Sequence, residues 1–160
     1  ILIFLSFSSL LLTAFAVVLA CRLLLPPLNH SNNSTLPLIL ECGGKKVRLT
    51  ALRDSGNTLH EPFTGKGVLV LSPRECMELV PDDAADVLRR DVPPLGCFEE
   101  LGRMYPGVFS LIPYSTASGS GLMVCIKPDL MLIDGKKDHR IVGISHREIT
   151  INGCSAVIGV

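Results

Sequence analysis

Asp54-Ser55-Gly56 is the tripeptide in this chain whose residue types could do chemistry. Peptide hydrolysis by carboxylates needs two of them about 3 Å apart sharing one proton, because like charges that close do not both ionise. One then acts as base on a water and the other as acid, and the two titrate as a pair. The serine can hydrogen-bond across the pair, and Gly56 lets backbone approach closely. The chain holds one such tripeptide. The other Asp-Gly, Asp134-Gly135, lacks the hydroxyl residue, precedes Lys136-Lys137 and reads as a turn. A working site therefore has to take its second carboxylate from a second chain, with Asp54 of each copy at a two-fold axis. As residues alone, Asp-Ser-Gly usually marks an ordinary bend, since all three are turn formers.

Other chemistries find less support. Gly143-Ile144-Ser145-His146-Arg147 departs from Gly-x-Ser-x-Gly at its last position, and neighbouring strand residues such as Ser145 and His146 face opposite ways. His60, His139 and His146 build no His-Glu-x-x-His zinc site and, with His30, read as surface or linker residues. Cys21, Cys42, Cys76, Cys97, Cys125 and Cys154 contain no Cys-x-x-Cys pair and read as mostly free, partly buried thiols in a reducing compartment. No Gly-rich phosphate loop follows a strand, so neither a metal nor a cofactor is expected. Fifteen basic against 15 acidic residues in 160 argue against a nucleic-acid-binding face.

The elements that must position Asp54 read as short strands. Leu36–Cys42 and Lys45–Leu52 flank Gly43-Gly44, which makes a hairpin with Val47, Leu49 and Ala51 on one face. Its second arm runs straight into Asp54. Val68–Leu71 is the next strand, and Ser72-Pro73-Arg74-Glu75 opens a helix with Ser as N-cap and Glu three residues on. Pro81–Arg90 is a second short helix, and residues 91–107, rich in Pro, Gly and charge, read as loop. Strands are expected again over Val108–Tyr114, Leu122–Lys127, Leu130–Ile133, Arg140–Ser145, Glu148–Ile151 and Ser155–Gly159. Asp134-Gly135 and Asn152-Gly153 are turn signals, and Thr116–Gly121 is a glycine-rich hairpin tip. This pattern predicts a mostly-β barrel or sandwich.

Ahead of it, Ile1–Cys21 carries no charge and at about 1.5 Å per residue spans roughly 30 Å, so it reads as a transmembrane helix. The chain opens on Ile rather than Met, which implies earlier residues and further spans. Residues 22–37 read as a Pro/Asn/Ser-rich linker, and 38–160 as the folded domain.

This ordering resembles a retropepsin-type aspartic protease subunit. There a Gly-Gly turn and an apolar strand deliver an Asp-Thr/Ser-Gly loop, a glycine-rich hairpin covers the cleft, and an apolar-apolar-Gly strand, here Ala156-Val157-Ile158-Gly159, packs behind the loop. Asp54-Ser55-Gly56-Asn57 with Leu59 and Pro62, Ile112-Pro113-Tyr114 and Lys127-Pro128-Asp129 resemble more closely the sporulation sigma-E factor processing peptidases (stage II sporulation protein GA). Asn57 stands where retroviral enzymes usually have Ala, and residues 72–107 are an insertion that a minimal retropepsin lacks. The resemblance implies a half-barrel closed by homodimerisation, with Asp54 as the one catalytic Asp per subunit supported by Ser55 and Gly56. It also implies a membrane-associated aspartic endopeptidase that activates the sporulation precursor pro-sigma-E. Its partners would be a second copy, a forespore-derived signalling protein and the lipid bilayer, at the sporulation septum with the protease domain facing the mother-cell cytoplasm. The alternative is a non-catalytic membrane-anchored β-domain that senses or scaffolds, with Asp54 in a structural turn.

Overall fold

The computed structural model describes residues 34–116 and 119–159. The apolar segment 1–21 lies outside the described residues, and among those described no helix is long and apolar enough to cross a membrane.

Thr35–Cys42 (β1) and Lys45–Asp54 (β2) pair antiparallel, from Thr35 opposite Leu52 to Cys42 opposite Lys45. Gly43 and Gly44 turn the chain at φ 57° and 82°, the doubly positive geometry that matches a hairpin's right-handed twist. Asp129 fixes this turn, its carboxylate accepting from the Gly43 N–H at 2.8 Å. Val68–Leu71 (β3) leads into three helices, Pro73–Leu79 (α1), Asp82–Leu88 (α2) and Pro94–Met104 (α3). Phe109–Thr116 (β4) and Gly119–Ile126 (β5) then form a long hairpin. Leu130–Ile133 (β6), Lys136–Lys137 (β7), Ile141–Ile144 (β8) and Ala156–Gly159 (β9) follow.

The nine strands form one sheet in the order β4-β5-β8-β3-β9-β2-β1-β6-β7. The last strand in sequence is thus an inner one, parallel to β2 on one side and antiparallel to β3 on the other. β3 is apolar throughout because both its faces are covered: Leu69 and Leu71 join the main core, while Val68 joins a second, smaller cluster. The main core packs the helices against the sheet through Cys76, Leu79, Ala84, Ala85, Val87 and Leu101. Helices of 7 residues, such as α1 and α2, do not hold alone in water, so this burial keeps them folded.

Four local expectations change. Residues 91–107 are not all loop, because α3 occupies Pro94–Met104. Pro94 stands in the first turn, where a missing N–H costs nothing, and Cys97 and Leu101, one turn apart, are buried. Ser72 precedes α1 but does not cap it: its hydroxyl bonds the Glu148 carboxylate and accepts from the Ile149 N–H at 3.2 Å. Glu148–Ile151 is therefore no strand but a loop pinned to Ser72, with only Ile151 bridging Cys154 across the Asn152-Gly153 turn. The first strand begins at Thr35, inside the stretch read as linker.

Candidate active site

Asp54 is the last residue of β2, and residues 53–56 are all exposed. The parallel ladder with β9 runs Ala51↔Ala156, Leu52↔Val157, Arg53↔Ile158 and Asp54↔Gly159, so the apolar-apolar-Gly strand lies directly beside the arm that delivers the carboxylate. Beyond Asp54 the chain folds tightly back. The Asp54 carboxylate accepts from the Gly56 N–H at 2.8 Å, the Asn57 N–H donates to the Asp54 carbonyl at 3.2 Å, and the Thr58 N–H to the Gly56 carbonyl at 3.1 Å. A Cβ on residue 56 would stand 3.2 Å from Asp54 Oδ1, which is why glycine suits this position. Among the described residues the Gly56 N–H is the sole hydrogen-bond partner of the Asp54 carboxylate, and the Ser55 hydroxyl has none. The loop thus presents the Asp54 carboxylate and a free Ser55 hydroxyl to solvent.

The backbone passes closest at Gly159, where a Cβ would stand 2.1 Å from the Asn57 carbonyl oxygen. No other residue type fits there without moving the loop. Asn57 reaches two further strands, β3 and β9: its Nδ2 donates to the Val68 carbonyl at 3.1 Å and the Val157 carbonyl at 3.4 Å, while its Oδ1 accepts from the Leu59 N–H at 3.3 Å. Arg140 Nη1 donates to the Gly159 carbonyl at 3.0 Å from the other side.

Residues 58–68 form a second loop built around a buried carboxylate. Glu61 accepts from the Thr64 hydroxyl, from the Thr64 N–H at 2.7 Å and from the Phe63 N–H at 3.4 Å. Those bonds, led by the Thr64 hydroxyl and helped by Lys66, hold the Glu61 carboxyl below its usual range against the opposing effect of burial. Leu59 then packs into the small cluster of Val68, Ile112, Met123, Cys125 and Ile141. Ile112, Met123 and Cys125 form the base of the β4–β5 hairpin, so this hairpin and the 58–68 loop share a core. The outer part of the hairpin is exposed at Pro113, Ser115, Thr116, Ser120 and Leu122, and Tyr114 packs over Gly121, where a Cβ would meet its ring at 3.1 Å.

Sequence reasoning singled out Asp54, Ser55, Gly56 and the Gly159 strand, and the structure brings them together. It did not find Arg140 or the Glu61 staple. Arg140 works through a backbone carbonyl 19 residues away, which leaves no side-chain pattern to read, whereas Glu61-Pro62-Phe63-Thr64-Gly65 carries a turn signal in its own residues. Lys127-Pro128-Asp129 belongs to the β1–β2 turn through Asp129 rather than to the Asp54 loop. His60, His139 and His146 are exposed, and among the described residues no group of acids, histidines and cysteines could hold a metal ion. Cys42, Cys76, Cys97, Cys125 and Cys154 are buried and unpaired. A cavity of about 240 Å³ between α1, α3 and β8 has no residue of the Asp54 loop in its walls.

The chain matches the family of sporulation factor SpoIIGA, peptidase U4, over residues 3–153. It is similar to the sporulation sigma-E factor-processing peptidase of Bacillus subtilis (strain 168), with 26% identity over 121 residues, 71% of this chain and 39% of that relative. It therefore spans well under two thirds of the relative's length. Since the family match takes in the hairpin, the Asp54 loop, the helical insertion and the β4–β5 hairpin alike, the chain belongs to the sporulation factor SpoIIGA family of peptidases.

Proposed function

We propose that this chain carries the protease domain of a membrane-associated aspartic endopeptidase that processes pro-sigma-E during sporulation, with Asp54 contributed by each of two copies. The observation that carries this is the exposed carboxylate at the end of β2, beside the Gly159 strand, in a chain with a single Asp-Ser-Gly. A two-fold axis through the loop would supply the second carboxylate from a second copy. The free Ser55 hydroxyl then has a partner across the axis. Forced together, the two carboxylates share a proton, and one is left as base for the attacking water while the other protonates the leaving amine. The β4–β5 hairpin, rooted in the same small cluster as Leu59, is the element suited to close over a bound peptide.

The name of the Bacillus subtilis relative supports pro-sigma-E as the substrate. Five buried, unpaired thiols suit a domain facing the reducing mother-cell cytoplasm at the septal membrane, to which the apolar segment 1–21 would tether it. The resemblance to the sporulation sigma-E processing peptidases supports a forespore-derived signalling protein as the activator. The test is co-expression of full-length wild type or Asp54→Asn with the sigma precursor, reading processing on a gel. Wild type processes and the equally abundant variant does not. Equal processing by both returns Asp54 to a structural turn and the domain to a sensor or scaffold.

A further inference from the structure

We infer that Asn57, braced by Arg140, is a positioning residue that sets where Asp54 stands, acting through the backbone of Gly159. This rests on the aspartic-dyad reading above. Asn57 commits its whole carboxamide: two N–H bonds go to carbonyls of β3 and β9, and its oxygen accepts from Leu59. Its backbone is equally committed, the N–H to Asp54 and the carbonyl against Gly159, which is the register partner of Asp54. A shift at residue 57 is therefore a shift at residue 54.

Arg140 closes the arrangement from the far side. Its Nη1 holds the Gly159 carbonyl at 3.0 Å, and its stem lies over Gly67, where a Cβ would stand 3.2 Å from Nε. Asp138 fixes the arginine in turn, accepting from its backbone N–H at 2.9 Å and lying 3.8 Å from Nε. Asn57, Leu59, His60, Gly67, Val68, Arg140 and Gly159 wall a cavity of about 50 Å³. Around it, the hydrogen bonds of Asn57 and Arg140 hold this part of the loop. Two donors and one acceptor at this reach are what a carboxamide supplies. An aspartate of the same shape brings only acceptors and would face two carbonyls. Catalytic groups misplaced by about 1 Å lose on the order of 100-fold in rate.

The test uses the purified full-length protein with purified precursor sigma factor, measuring kcat, KM and the pH–rate profile. The variants are Asn57→Asp, Asn57→Ala, Arg140→Met and Arg140→Lys, with Asp54→Asn as reference. The expected result is a kcat loss of roughly 10- to 100-fold for the Asn57 variants and about threefold to tenfold for Arg140→Met, with KM within about twofold. The limbs of the pH–rate profile move as well, because both apparent pKa values of a dyad depend on the separation of its carboxylates. Arg140→Lys, which keeps a donor, recovers part of the loss. Should an Asn57 variant fail to fold, the Arg140 pair decides. Unchanged kcat per folded molecule and an unmoved pH profile, with Asp54→Asn inactive, overturn this inference alone. An active Asp54→Asn overturns the dyad reading and this inference with it.

Discussion

Around α1–α3 the chain buries Leu79, Ala84, Ala85, Val87 and Leu101 almost completely, whereas residues 53–56 at the other region stand in solvent and are held by hydrogen bonds and one close backbone approach. The first region gets its strength from apolar area, at about 1.5–3 kcal/mol for each fully buried large side chain. The second gains little that way, and gets accuracy instead: Gly159 against Asn57, Asn57 across to β3 and β9, Arg140 on Gly159. The β3 strand joins them, with Leu69 and Leu71 facing the helices and Val68 and Val70 facing the small cluster with Leu59. The difference teaches that damage to the helical side should appear as lost stability, and damage to the loop as lost rate.

Gly159→Ala strikes the loop hardest. Its methyl would have to displace the Asn57 carbonyl, and processing should fall by about 100-fold or more, measured per folded molecule. A fully active Gly159→Ala would break the comparison at its clearest point. Leu101→Ala tests the other side: it should cost about 2–5 kcal/mol in denaturant unfolding while the folded fraction keeps its rate. A slow enzyme of unchanged stability would contradict that assignment.

The thiols sharpen the contrast further. Burial pushes the Cys42 thiol up to about 11, with Asp129 adding to it, and the Cys125 thiol up to about 12; Cys76 is raised further still by burial. These three should resist alkylation at pH 8 in the native protein and react as it unfolds, read by peptide mass. The smallest effect is expected at Glu61. Its carboxyl is held low in the folded state, so its contribution is complete above the ordinary carboxylate value of about 4.3 and is lost as pH falls through the lower folded value. Glu61→Gln should flatten the acid limb of thermal stability, and an unaltered limb would remove the staple from the account.

Much of this was legible in the sequence because it depends on local rules. Gly43-Gly44 between alternating strands dictates its own turn, and Val68–Leu71, a short apolar run, reads as a strand. Asp54-Ser55-Gly56 at the end of the second arm, with an apolar-apolar-Gly strand to follow, pointed to the loop that β9 runs beside. What escaped was decided by distant partners. Ser72 has every local mark of an N-cap, yet Glu148 and Ile149 claim its hydroxyl, and the same contacts keep 148–151 from forming a strand. In α3, Pro93-Pro94 reads as a breaker until Cys97 and Leu101 are seen facing the core one turn apart. Arg140 and Asn57 bond to backbone carbonyls, which every residue owns, so their targets have no signature.

The central claim is that the active site is divided between two copies, and mixing tests it most directly. A fixed amount of full-length wild type is allowed to exchange subunits with a ninefold excess of Asp54→Asn, and precursor processing is followed. If each dimer needs Asp54 from both chains, random pairing leaves about a tenth of the wild-type activity. Activity that stays at the level of wild type alone would mean that each chain works by itself, and would contradict the shared dyad.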